Sequence, residues 1–228
     1  MILIKNEKVR SLLKFIIPFL LIPAVVIIGE VCFSPKKYLW VSLAIAVMAL
    51  FLFASGYERK KTGSRRMVIV AVMVALCIVG RIIPFFKPVT ALTIITAMYL
   101  GGEAGFLVGA LAAVLSNFYF GQGPWTPFQM LAWGLIGLIA GFLAKPLKKS
   151  KIFLLFFGVT SGIVFSFVMD IWTVLWYDNS FNWSLYLTAI STAIPHTVLY
   201  SVSNFIFLWA LAKPLGEKLN RIKIKYGV

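Results

Sequence analysis

GEAGFLVGALAAVLSNFYFGQGPWTPFQMLAWGLIGLIAGFL, residues 102 to 143, decides the fold. It holds two apolar runs, 102–119 and 126–143, joined by a loop of glycine, proline, amide and aromatic residues. Each run approaches the roughly 20 residues a helix needs to cross the hydrocarbon of a bilayer. No charged residue follows Glu103 until Lys145. The apolar runs are continuous rather than alternating, which excludes a transmembrane β-barrel and leaves a helical bundle.

The rest of the chain extends this pattern. Of its 228 residues, 61% are hydrophobic and 13% charged, whereas a soluble domain carries about 45–50% apolar and about 25% charged residues. Eight hydrophobic segments are expected, over about 11–33, 38–55, 67–85, 88–100, 102–119, 126–143, 152–176 and 184–212. The fourth is short and opens at Lys87 and Pro88, which suits a broken or re-entrant span shielded by its neighbours. The first has a basic flank like a signal peptide but lacks an Ala-x-Ala-like cleavage site, and reads as a retained helix. Cys32 and Cys77 both fall in apolar spans and read as small hydrophobes.

A net charge of +15 invites a nucleic-acid reading, which the placement of the charges removes. Eighteen of the 22 basic residues fall on one side of the predicted spans: Lys5, Lys8, Arg10, Lys14, Arg59, Lys60, Lys61, Arg65, Arg66, Lys145, Lys148, Lys149, Lys151, Lys213, Lys218, Arg221, Lys223 and Lys225. Lys36, Lys37, Arg81 and Lys87 fall on the other. The positive-inside rule then predicts a multi-pass protein of the cell membrane with both termini cytoplasmic, its basic excess meeting anionic lipid rather than nucleic acid.

The polar stretch YERKKTGSRR, residues 57–66, divides the chain. It separates an accessory transmembrane hairpin, 1–56, from a six-helix core with a basic tail, 67–228. In the core, Gly101, Gly105, Gly109 and Ala113, then Gly137 and Gly141, recur every four residues and predict close helix packing. Ala71 and Ala75 form a similar pair on the first core helix.

Polar residues in hydrocarbon are costly and are candidates for function. Gly162, Ser166, Asp170, Thr173 and Tyr177 share one helical face. His196, Tyr200, Ser203 and Asn204 make a second stripe, on a helix that Pro195 is expected to kink, and Thr126, Gln129 and Trp133 make a third. Together with the two outer loops they predict a polar and aromatic cup at the outer surface. Its candidate residues are Arg81, Asn117, Tyr119, Gln122, Trp125, Gln129, Trp133, Asp170, Trp176, Tyr177, Trp183, His196 and Tyr200, with Arg81 as anion partner. An interfacial aromatic belt accounts for the Trp and Tyr residues but not for Asn117, Gln122, Gln129 and Asp170.

Catalytic readings are thin: Asp170 and His196 lack any accompanying nucleophile-elbow, zinc or protease motif, so no catalytic or metal residue is assigned. No Gly-x-x-x-x-Gly-Lys-Ser/Thr loop occurs, so ATP could act only through other subunits.

Residues 87–143, above all GEAGFLVGALAAVLSNFYFGQGPWTPFQM, resemble the substrate-binding S-components of energy-coupling factor (ECF) vitamin transporters. The resemblance spans about 67–212 and implies a non-catalytic, six-helix subunit that binds a vitamin at the outer face. It further implies docking on a transmembrane coupling subunit driven by two cytoplasmic ATPases, through an Ala-x-x-x-Ala face that Ala71 and Ala75 match. The two extra helices are closer to cobalamin-type S-components, making cobalamin or another corrinoid the expected ligand; riboflavin suits the same lining. No covalently bound cofactor is expected. A membrane scaffold without a small-molecule ligand is the alternative from another class.

Overall fold

The computed structural model describes residues 7–32, 38–55, 63–178 and 180–226. Lys5, Lys36, Lys37, Arg59, Lys60 and Lys61, and the side chains of Arg10 and Cys32, lie outside the described residues. Among the described residues ten helices follow in order: α1 Glu7–Ile16, α2 Ile22–Cys32, α3 Tyr38–Ser55, α4 Gly63–Gly80, α5 Val89–Leu100, α6 Gly102–Phe120, α7 Trp125–Phe142, α8 Ala144–Lys149, α9 Lys151–Asp178 and α10 Trp183–Tyr226. A π-helical segment, Ile17–Leu21, joins α1 to α2. Pro18 and Pro23 remove two donors there, and the Ile22 N–H reaches back five residues to the Ile17 carbonyl.

Each of the eight expected hydrophobic segments contains a helix, although the third ends at Gly80 and 81–85 form a turn rather than helix, and the architecture is a polytopic helix bundle. Among the described residues, five helical stretches are long and apolar enough to cross a membrane: Ser11–Gly29, Gly102–Phe120, Trp125–Phe142, Lys151–Asp178 and Trp183–Tyr226. The short fourth segment is α5, 12 residues of which all but Tyr99 are buried. At 1.5 Å per residue it covers about 18 Å, well short of the ~30 Å hydrocarbon. Gly101, at φ 98°, turns the chain from α5 into α6 through a single residue, a backbone shape that side chains resist. α10 runs as one assigned helix through both Pro195 and Pro214.

The glycine stripes form the seam between α6 and α7. A Cβ on Gly109 would stand 2.6 Å from the Trp133 carbonyl, and one on Gly137 would stand 2.5 Å from the Gly105 carbonyl carbon. Backbone therefore touches backbone, which only the smallest residues permit. α9 and α10 are joined differently, by polar side chains. Ser166 and Thr197 share a 2.6 Å hydrogen bond, Ser201 donates to the Val159 carbonyl at 3.1 Å, and the Asn204 amide donates to the Gly158 carbonyl at 3.0 Å.

α3 packs on α6 and α7, and α2 on α7. Ile22, Ile45, Leu52 and Phe53 belong to the same buried cluster as residues of α4 to α7, among them Cys77, Ile94, Phe106 and Met130. Lys14 pairs with the carboxylate of Glu103 at the start of α6, and Phe15 stacks on Phe142 with ring centroids 5.5 Å apart.

Candidate functional site

Arg81 follows directly on α4, Asn117 sits near the end of α6, and Thr126 and Gln129 open α7, so antiparallel packing brings all four to one end of the bundle. The Arg81 Nη1 group donates to the Ser116 hydroxyl and, at 2.8 Å, to Asn117 Oδ1. Asn117 Nδ2 then donates to Thr126 Oγ1 at 2.8 Å and to Gln129 Oε1 at 2.9 Å. The Thr126 hydroxyl donates to Gln122 Oε1 at 3.1 Å, and Gln122 Nε2 donates to the Val114 carbonyl at 2.8 Å, ending the chain. Arg81, Ser116, Asn117 and Thr126 are all buried. In so apolar a setting a linked network is strong, because each member would otherwise lack solvent.

Aromatic rings enclose this network. The Arg81 guanidinium lies 4.9 Å from the Phe120 ring centroid and 5.4 Å from that of Trp133. Trp133 stacks on Phe165 at 4.9 Å, and Phe165 meets Tyr200 edge-on at 5.2 Å, which ties α7 to α9 and α10. At the same end Trp125 meets Trp172 edge-on at 5.7 Å, and Trp172 neighbours Trp176 at 6.2 Å. Lys87, in the loop before α5, is lowered below the usual lysine value by partial burial and then by the Arg81 charge.

Among the described residues, three buried polar atoms at this end have no hydrogen-bond partner: Arg81 Nε, Asp170 Oδ2 and Trp172 Nε1. Two donate and one accepts. Each costs on the order of 1–3 kcal/mol while unmatched, a penalty that a ligand with complementary groups relieves.

The structure thus gathers Arg81, Asn117, Gln122, Gln129 and Trp133 into one network, with Tyr200 joined through Phe165 and with Trp125 and Trp176 in the neighbouring tryptophan cluster. Asp170 is buried on α9. Tyr119, Tyr177, Trp183 and His196 are exposed and stand outside both clusters; Tyr119 touches Phe120, and Trp183 packs on Phe181 at 5.0 Å. No hydrogen bond or ion pair links Asp170 to His196 among the described residues. Ser203 donates to the Lys87 carbonyl at 3.1 Å, fixing α10 to the α4–α5 loop. Ser116, Phe120, Phe165 and Trp172 are members the residue pattern did not single out. Ser116 is disguised by its bond to the Ala112 carbonyl, an ordinary use of serine inside a helix. Trp172 lies off the polar face of α9, and only its contact with Trp125 reveals it. Ala71 and Ala75 are exposed on α4.

A many-spanning helix bundle with a buried polar and aromatic cluster at one end has the form of a membrane-embedded binding subunit. Residues 61–213 match the family model described as "ECF-type riboflavin transporter, S component", and the chain belongs to that family. It is accordingly a substrate-specific membrane subunit of a vitamin transporter. Two UPF0397 proteins of Clostridium perfringens are similar to it. That of strain SM101 / Type A is 28% identical over 140 residues, covering 58% of this chain and 70% of its own length. That of strain ATCC 13124 is 28% identical over 131 residues, covering 54% and 70%. No solved structure matches the chain.

Proposed function

We propose that the chain captures its vitamin at the outer end of the bundle, in the space bordered by the Arg81–Asn117–Gln129 network and the tryptophan cluster. It then docks through α4 on a coupling subunit driven by two cytoplasmic ATPases. The observation that carries the reading is the trio of buried atoms without a partner among the described residues, Arg81 Nε, Asp170 Oδ2 and Trp172 Nε1, at the edge of the Asn117–Thr126–Gln129 hydrogen-bond network. Riboflavin is the first substrate reading. The family description names it, and its flat conjugated ring with carbonyl and N–H edges suits aromatic faces alternating with amide and guanidinium groups. Cobalamin is the second, supported by the exposed Tyr119, Trp176, Tyr177 and Trp183, which could meet a wider ligand.

Calorimetric titration with both vitamins tests the reading. Trp125→Ala and Gln129→Ala are each expected to weaken binding roughly five- to a hundredfold, the equivalent of about 1–3 kcal/mol. Trp40→Ala, on the exposed face of α3, is expected to leave affinity unchanged. A parent protein that binds neither vitamin removes the substrate assignment, and a Trp40 effect equal to that of Trp125 moves the site elsewhere.

The orientation rests on the lopsided distribution of basic residues. A cysteine placed at Ser180 is expected to react with an impermeant thiol reagent added outside intact cells, while one at Ser150 stays protected. Labelling at Ser150 alone would invert the protein in the membrane.

A further inference from the structure

Arg81 carries a charge that the described residues do not balance. It is only 8% exposed, and its Nη1 group is spent on neutral acceptors, the Ser116 hydroxyl and Asn117 Oδ1. Among the described residues it forms no ion pair. Glu103 pairs with Lys14 at the opposite end of α6, Glu217 lies toward the far end of α10, and Asp170 and Asp178 make no ion pair with Arg81 or Lys87. Lys87 adds a second cation, half-buried and near enough that the Arg81 charge acts on it. Burying a guanidinium without a counter-ion is costly, and neutral hydrogen bonds at one nitrogen offset only part of that cost.

The unused donors are arranged for one kind of guest. A guanidinium holds its N–H groups in a rigid plane, and the Nε and Nη2 hydrogens run parallel along one edge. Here that edge is the unpaired one: Nε is buried without a partner, and Nη2 donates to no described residue. Ser116 and Asn117 hold the other side of the plane, while the Phe120 and Trp133 ring centroids lie 4.9 and 5.4 Å from the guanidinium carbon, so the orientation is fixed before any ligand arrives. A carboxylate or phosphate offers two oxygens to such an edge and cancels the charge as well, whereas a neutral carbonyl offers one oxygen and no charge. We infer that the transported ligand is an organic anion whose carboxylate or phosphate is taken side-on by the Nε–Nη2 edge of Arg81, beside Lys87. The inference rests on the outer-site reading given above and narrows its substrate class; among flavins it selects the 5′-phosphate over neutral riboflavin.

Thermal unfolding of the purified protein at constant ionic strength, with benzoate or benzamide added, tests the charge requirement without assuming a vitamin, because the two probes share a ring and differ in the anion. Benzoate is expected to raise the midpoint of the parent by about 2 °C or more, and benzamide to leave it unchanged. Arg81→Gln is expected to abolish the benzoate response. Arg81→Lys keeps a point charge but loses the fork, and is expected to weaken benzoate roughly tenfold, so the test survives a glutamine variant that does not fold. Lys149→Gln, on α8, is expected to keep the full response. Equal responses to the two probes, no response to either, or a benzoate response that survives Arg81→Gln or is undiminished in Arg81→Lys would overturn the proposal. Calorimetry with riboflavin and riboflavin 5′-phosphate separates this from the vitamin reading, with a preference for the phosphate of roughly tenfold to a hundredfold expected. Tighter binding of riboflavin would overturn the anion site and leave the vitamin reading standing. A benzoate response with neither flavin bound would uphold the anion site and remove the flavin.

Discussion

Gly137→Leu is expected to lower the melting temperature of the detergent-solubilised protein by at least about 5 °C and to reduce the folded yield sharply. The new Cβ alone would lie 2.5 Å from the Gly105 carbonyl carbon and 2.8 Å from Thr93 Cγ2, before any of the remaining side chain is placed. The first obstacle is backbone, so no rotamer change relieves it and α6 must part from α7. That separation also displaces Gln129 and Trp133, two turns and one turn earlier on α7, from Asn117 and Phe165. Thermal unfolding followed by size-exclusion chromatography checks this. A midpoint within about 2 °C of the parent would mean that α6 and α7 do not touch as described.

Ala71→Leu and Ala75→Leu are expected to do the opposite: to preserve fold and vitamin affinity while abolishing uptake in cells. Both alanines are exposed on α4, so among the described residues a larger side chain there has room without displacing the core. At a closely packed contact with a coupling subunit, however, the extra bulk costs about 1–3 kcal/mol, or roughly five- to a hundredfold in docking affinity. Vitamin accumulation in cells, measured beside titration of the purified variants, separates the effects. Normal uptake would place these alanines against lipid, and loss of affinity in the isolated protein would place them inside the site's support.

The bundle itself was legible because the bilayer imposes one solution on long apolar segments, and the seam between α6 and α7 was legible because glycine every fourth residue has a single geometric use. Asn117, Gln129 and Arg81 were legible as polar groups in a setting that penalises them. The stripes on α9 and α10 show where such reading stops. Ser166 and Asn204 carry the same periodicity as Asp170, yet they join two helices through Thr197 and the Gly158 carbonyl. Gluing helices and lining a site both demand polar atoms on an inward face, and spacing does not separate the two. Trp172 and Phe165 were hidden for the complementary reason, since an aromatic residue in a membrane helix is unremarkable until its partner on another helix is known.

The burial of α5 bears on how the protein is made. The 12-residue segment is apolar but too short to span, and its ends would fall within the hydrocarbon if it entered alone. During synthesis it has no stable resting place until α6 emerges, one glycine later, to pair with it, and no complete enclosure until α7 and α10 arrive. Membrane insertion of α5 is therefore a cooperative event that waits for later parts of the chain, and a ribosome halted before α7 would leave this segment without its sheath.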